Sequence, residues 1–89
     1  MRKKNLTRFW FEFSVQPYSN PYFGVTAYNH EDALEQIKQR VFPLVELPTL
    51  KHYIEDIDVS TLDAGHILPN MYPPNYRGIW YPKGFSEAF

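Results

Sequence analysis

Arg8-Phe9-Trp10-Phe11-Glu12-Phe13-Ser14-Val15 alternates without a break: Phe9, Phe11, Phe13 and Val15 fall on one side of an extended chain, and Arg8, Trp10, Glu12 and Ser14 on the other. A period of two is the signature of a β-strand with one buried face. Three phenylalanines on that face require a second layer to cover them. The other row holds a tryptophan, so it too carries apolar surface.

Moving outward, Gln16-Pro17-Tyr18-Ser19-Asn20-Pro21 supplies turn residues and two prolines that cannot donate to a ladder, and Tyr22 to Tyr28 then resumes as a β-favouring run. The two runs read as a hairpin with a longish loop. Phe23, Val25 and Ala27 form the apolar side of the second strand; Tyr22, Gly24, Thr26 and Tyr28 form the other.

Asn29 is a good N-cap with Asp32 three residues on, and Ala33, Leu34, Ile37, Val41 and Phe42 follow at helical spacing. The spacing predicts a helix from about His30 to Phe42, ended by Pro43. Its acids Glu31, Asp32 and Glu35 lie near the start, and Lys38 and Arg40 near the end, which suits the helix dipole. An apolar, proline-bounded connection through Pro48 leads to a third strand, expected over His52 to Val59. Its faces mix apolar and acidic residues, as at a bulge or a sheet edge. Ser60, Asp63 and Gly65 read as a capped single turn.

Ile67 to Phe89 carries Pro69, Pro73, Pro74 and Pro82 among Met71, Tyr72, Tyr76, Trp80, Tyr81, Phe85 and Phe89, so only Gly78 to Tyr81 suits a short strand. The elements therefore predict an α+β fold: a small antiparallel-rich sheet with one principal helix, in β-β-α-β order, and an irregular proline-aromatic C-terminal segment packed on the sheet. One helix covers one face. The face bearing Trp10, Tyr22 and Tyr28 is left for the tail, a second copy of the chain, or a ligand.

Residues 1–89 fit one domain, since two would each fall near the size at which a core no longer suffices without staples. There is no cysteine, which removes disulfides, thiolate chemistry and cysteine-built metal sites. Eighteen per cent aromatic residues make aromatic packing the material of the core and argue against disorder. The net charge of −1 gives no global attraction to nucleic acid or anionic membrane. The charge is nonetheless uneven. Arg2, Lys3, Lys4 and Arg8 face only Glu12 in residues 1–28, whereas residues 29–63 set eight acids against Lys38, Arg40 and Lys51. Residues 1–6 are expected to form a flexible basic terminus; Arg8 and Glu12 interrupt what a signal peptide would need to keep uncharged. With no apolar run long enough for a membrane span, a cytoplasmic location is expected.

Asp56, Asp58 and Ser60 have the spacing of the first ligands of an EF-hand loop, but Thr61 stands where the loop needs glycine and Ile67 where it needs glutamate. On a strand, Asp56 and Asp58 would share a face; a solvated edge is the simpler reading. Ser60, Asp63 and His66 contain the residue types of a hydrolase triad, yet cap, cap partner and surface imidazole explain them more simply. His30, His52 and His66 have no i, i+4 partner. No catalytic, cofactor or metal set is complete, and no cofactor is expected.

The expectation is a non-enzymatic protein-binding or regulatory interaction domain. Its contact surface is drawn from Tyr72, Tyr76, Arg77, Trp80 and Tyr81, because rigid rings beside arginine are the groups interfaces favour, with Asp56 and Asp58 flanking it to steer a basic partner. A protein partner is favoured over nucleic acid, a homodimer is compatible, and no membrane is implied. The alternatives are a small enzyme or ligand-binding protein using the acidic segment 55–66, and single-strand nucleic-acid binding on an aromatic sheet face.

Overall fold

A computed structural model describes residues 6–15 and 20–82. Strands β1 (Thr7–Ser14), β2 (Tyr22–Ala27), β3 (Thr49–Glu55) and β4 (Gly78–Tyr81) form one antiparallel sheet in the order β3-β1-β2-β4, with helix α1 (His30–Arg40) between β2 and β3 in sequence. Among the described residues the sheet, the one α-helix and the packing of the C-terminal segment as far as residue 82 are those the sequence predicts. The basic terminus through residue 5, the turn residues 16–19 and the tail from residue 83 lie outside the described residues.

The alternation of β1 sets two layers. Phe9, Phe11 and Phe13 join Phe23, Val25 and Ala27 from β2 and Ile79 from β4 in one core, against Ala33 and Ile37 of α1. All nine are nearly or fully buried, and each large side chain there is worth about 1.5–3 kcal/mol in removal from water. Helix α1 starts as its cap residues require. Asn29 Oδ1 accepts from the Asp32 N–H at 2.8 Å, and Asp32 Oδ2 accepts from the Tyr28 N–H at 3.0 Å. Val41 is its C-cap, two residues short of the proline.

The opposite face carries a second core of Trp10, Ile57 and Trp80, with Val59, Leu62, Ile67, Met71, Tyr72 and Tyr81 packed around it. Two short 3₁₀ turns, Val59–Thr61 and Leu68–Asn70, carry this cover across the sheet. The Tyr72 N–H donates to the Trp80 carbonyl at 2.8 Å, which ties the cover to β4. Trp10 stacks on both Tyr22 and Trp80, at 5.7 and 6.0 Å between ring centroids.

Two local readings change, and the bulge or edge expected of the third strand is present as both. The third strand covers Thr49–Glu55, not His52 to Val59, because Asp56 takes a left-handed backbone (φ 63°) that ends the ladder. Lys51 is an extra residue opposite Glu12 and Phe13, a bulge that breaks the parity of the strand. The turn after it is capped by Asp58, whose carboxylate accepts from the N–H and hydroxyl of Ser60, rather than by Ser60 itself.

Candidate functional site

The described residues offer three surfaces at or near the ends of the sheet, and the local sequence builds each differently.

The first is the open edge of β3. It is the terminal strand of the sheet, and six of its seven residues are exposed, Tyr53 and Ile54 among them. Which main-chain groups face outward follows from the ladder. The Ile57 N–H donates to the Arg8 carbonyl at 2.9 Å, so Arg8 turns its main chain toward β3; residues alternate sides along an antiparallel strand, so Trp10 and Glu12 do the same. Phe13 instead donates to the Pro21 carbonyl on the β2 side at 2.8 Å, as this parity requires. Ile54 and His52, opposite Trp10 and Glu12, therefore bond to β1, while Tyr53 and Glu55 point their N–H and C=O groups away from the sheet. The Tyr53 ring packs on His30 (4.5 Å) and Phe11 (6.0 Å). Glu55, Asp56 and Asp58 continue from it as an exposed acidic run.

The second is a cleft of about 300 Å³ lined by Leu6, Arg8, Thr26, Asp56, Pro74 and Asn75. Arg8 and Thr26 are register partners on β1 and β2, so both come from the sheet itself. The Pro74–Asn75 loop forms a wall held at two points: Thr26 Oγ1 donates to the Pro74 carbonyl at 2.7 Å, and Arg8 Nη2 donates to Asn75 Oδ1 at 3.1 Å. Asp58 lies close enough to Arg8 to feel its charge; hydrogen bonds from the Ser60 side chain and main chain are the larger causes that hold the Asp58 carboxyl below its ordinary value.

The third is an arginine-tyrosine corner. The Arg77 guanidinium donates from Nε and Nη2 to the two carboxylate oxygens of Asp32, and its carbon sits 5.3 Å from the Tyr28 ring centroid. The Arg77 hydrogen bond is the main cause that holds the Asp32 carboxyl below its ordinary value, against an opposing contribution from burial. Tyr76, next in the chain, is exposed.

The contact residues expected from sequence are thereby divided. Trp80, at 1% exposure, is a core residue, and Tyr72 and Tyr81 are half-buried against it. Tyr76 and Arg77 are at the surface, and Asp56 and Asp58 are exposed beyond β3. Asp56 is brought to the cleft with Asn75, which sequence reasoning did not single out; nor did it single out Arg8. No local pattern links Arg8 to Asn75 across 67 positions. Asp56 and Asp58 do not share a strand face, since the strand has ended at Glu55. The Ser60 hydroxyl donates to Asp58, while Asp63 accepts from the Gly65 N–H at 2.8 Å and lies 3.0 Å from His66 Nδ1, so the serine is engaged away from the aspartate-histidine pair. Among the described residues no group of three His, Cys, Asp or Glu is placed to hold a metal ion, and no helix is long and apolar enough to cross a membrane.

Compared with protein-family models, curated proteins and solved structures, the chain matches none of them.

Proposed function

We infer that this is a non-enzymatic protein-interaction domain that accepts an extended segment of a protein partner along β3. The observation that carries the reading is the open edge: Tyr53 and Glu55 present main-chain donors and acceptors outward, on a strand that contains no proline, Pro48 standing just before its first residue. Main-chain pairing supplies affinity, and the Tyr53 and Ile54 side chains supply the two faces against which alternate residues of the partner pack. The acids Glu55, Asp56 and Asp58 beside the strand favour a basic segment and speed its encounter. Tyr76 and Arg77 form the surface part of the tail beside β4, at the opposite edge of the sheet, and stand apart from this contact. Trp10 and Trp80 lie under the tail, which leaves the tryptophans of that face no stacking platform for nucleobases.

Two prolines separate edge from ladder. Tyr53→Pro removes an outward N–H, whereas Ile54→Pro removes one that bonds β1. With the wild-type protein as bait in affinity capture from the source organism, a partner is expected that Tyr53→Pro loses and Tyr53→Ala, which keeps the N–H, retains in larger part. In the purified complex the Tyr53 and Glu55 amides gain protection from hydrogen exchange, while Ile54 is protected already in the free protein. A partner held equally by folded Tyr53→Pro protein, with Tyr53 and Glu55 still exchanging freely, would show that the edge is not the contact surface.

A further inference from the structure

The cleft at the end of the sheet holds two opposite charges that do not neutralise each other. An arginine carries five N–H donors, and among the described residues Arg8 gives a hydrogen bond only to the neutral amide oxygen of Asn75. The Asp56 carboxylate has no hydrogen-bond or ion-pair partner there. An arginine and an aspartate lining one cleft would ordinarily close on each other, since a bidentate pair satisfies both. Here each is restrained. Arg8 is fixed at its root near the start of β1, by its pairing with Thr26 on β2 and by its carbonyl, which accepts from the Ile57 N–H, and at its tip by Asn75. Asp56 is fixed by the left-handed backbone that ends β3. A non-glycine residue in that region is uncommon, and such conformations collect where a side chain must be held in place.

The walls keep the space open. The Pro74 carbonyl is committed to Thr26 Oγ1, which anchors the loop to the sheet floor. Leu6 and Pro74 contribute apolar flanks. A volume of about 300 Å³ equals roughly ten water molecules at ~30 Å³ each, which is ample for a small organic molecule. The charges decide its class. A simple anion would meet Arg8 but also Asp56, with Asp58 near; a simple cation would meet Arg8. A molecule with a carboxylate at one end and an ammonium at the other meets an opposite charge at each, and the guanidinium fork matches a carboxylate in shape as well as sign.

We propose that the Arg8–Asp56–Asn75 cleft is a binding site for a small zwitterion of the free α-amino acid class, with the carboxylate on Arg8 and the ammonium on Asp56. The site does not use the outward main-chain groups of β3, which belong to Tyr53 and Glu55, although its Asp56 is also one of the acids beside that edge.

The test is a ¹⁵N-resolved NMR titration of the whole chain with each common α-amino acid singly, and with acetate and methylammonium as the two half-ligands. At least one amino acid is expected to give saturable shifts centred on residues 8, 26, 56 and 75, in the millimolar range or tighter, with acetate and methylammonium at least about tenfold weaker. Asp56→Asn tolerates the same left-handed backbone and so preserves the fold. It should erase the preference for the amino acid over acetate, and Arg8→Met should abolish binding of both. Arg8→Lys keeps the charge without the fork and should weaken binding while the spectrum stays dispersed. The proposal is overturned if no amino acid saturates, if acetate binds the wild type as tightly as the amino acid does, or if the shifts survive in Arg8→Met.

Discussion

Gly24 is the position at which one methyl group should do the most damage. It lies in β2 opposite Tyr81 and next to Val25, the register partner of Ile79, and the extra residue between those two partners is Trp80. The indole lies flat over the glycine. A Cβ at position 24 would fall 2.7 Å from Trp80 Cε3 and nearer still to Cζ3 and Cη2, distances that real Cβ atoms do not show. The backbone of Gly24 lies outside the left-handed region, so the obstacle is the ring and not the φ angle. The ring has little room to retreat: Trp80 is 1% exposed and stacks on Trp10, which stacks on Tyr22. Overpacking of this kind costs about 1–3 kcal/mol where neighbours can shift, and about 3–5 kcal/mol is the ceiling if the indole is expelled, as in a Trp→Ala change. Gly24→Ala should therefore lose about 2 kcal/mol. For a domain of this length that lowers the melting midpoint by roughly 8–16 °C. Urea unfolding followed by tryptophan fluorescence reads the loss, and a double-mutant cycle with Trp80→Leu identifies its cause, because the penalty should largely vanish once the indole is gone. A Gly24→Ala protein within about 0.5 kcal/mol of wild type would refute the close approach of indole and backbone.

Two further substitutions probe the joints between layers. Asp32→Asn should cost about 1 kcal/mol at neutral pH, discounted for the half-exposed Arg77. Because the folded Asp32 carboxyl is held below its ordinary value of 3.8, its contribution is complete above that pH and fades as pH falls through the lowered value, so wild type and variant should converge in acid-unfolding curves below about pH 4. Asn29→Ala removes the acceptor for the Asp32 N–H at the start of α1 and should lower stability by about 1 kcal/mol in the same urea assay.

What the sequence made legible depended on how many neighbours each residue shares. In β1 every second side chain is buried against α1 and the intervening Trp10 is buried under the tail, so each position carries a signal and the alternation is complete. In β3, six of seven residues meet solvent on at least one side, and the extra Lys51 reaches back to Glu12 at 3.5 Å, so neither hydrophobicity nor parity marks where the strand begins. Its end is set by the backbone angle of Asp56, a residue read as a strand carboxylate. The cleft was partly visible through that aspartate, but Arg8 and Asn75 acquire meaning only once β1 and the loop after the second 3₁₀ turn are side by side. The Thr26–Pro74 and Arg77–Asp32 contacts, 48 and 45 positions apart, are of the same kind.

The bulge in β4 shows why the tail belongs to the fold and not merely to its surface. In a regular strand Trp80 and Tyr81 would point to opposite faces. Because Trp80 is the extra residue between the partners of Val25 and Gly24, both rings turn to the same side, where Trp80 covers Gly24 and Tyr81 lies 5.4 Å from Trp10. Ile79, one residue earlier, enters the other core beside Val25 and α1. Three consecutive residues thus serve both layers, and Arg77, immediately before Gly78, holds the same strand to the first turn of the helix through Asp32. The acidic first turn, the helix-side core and the tryptophan-side core meet at one short strand. Loosening β4 therefore exposes Trp80 and Ile79 together, so neither core can open at that strand without the other.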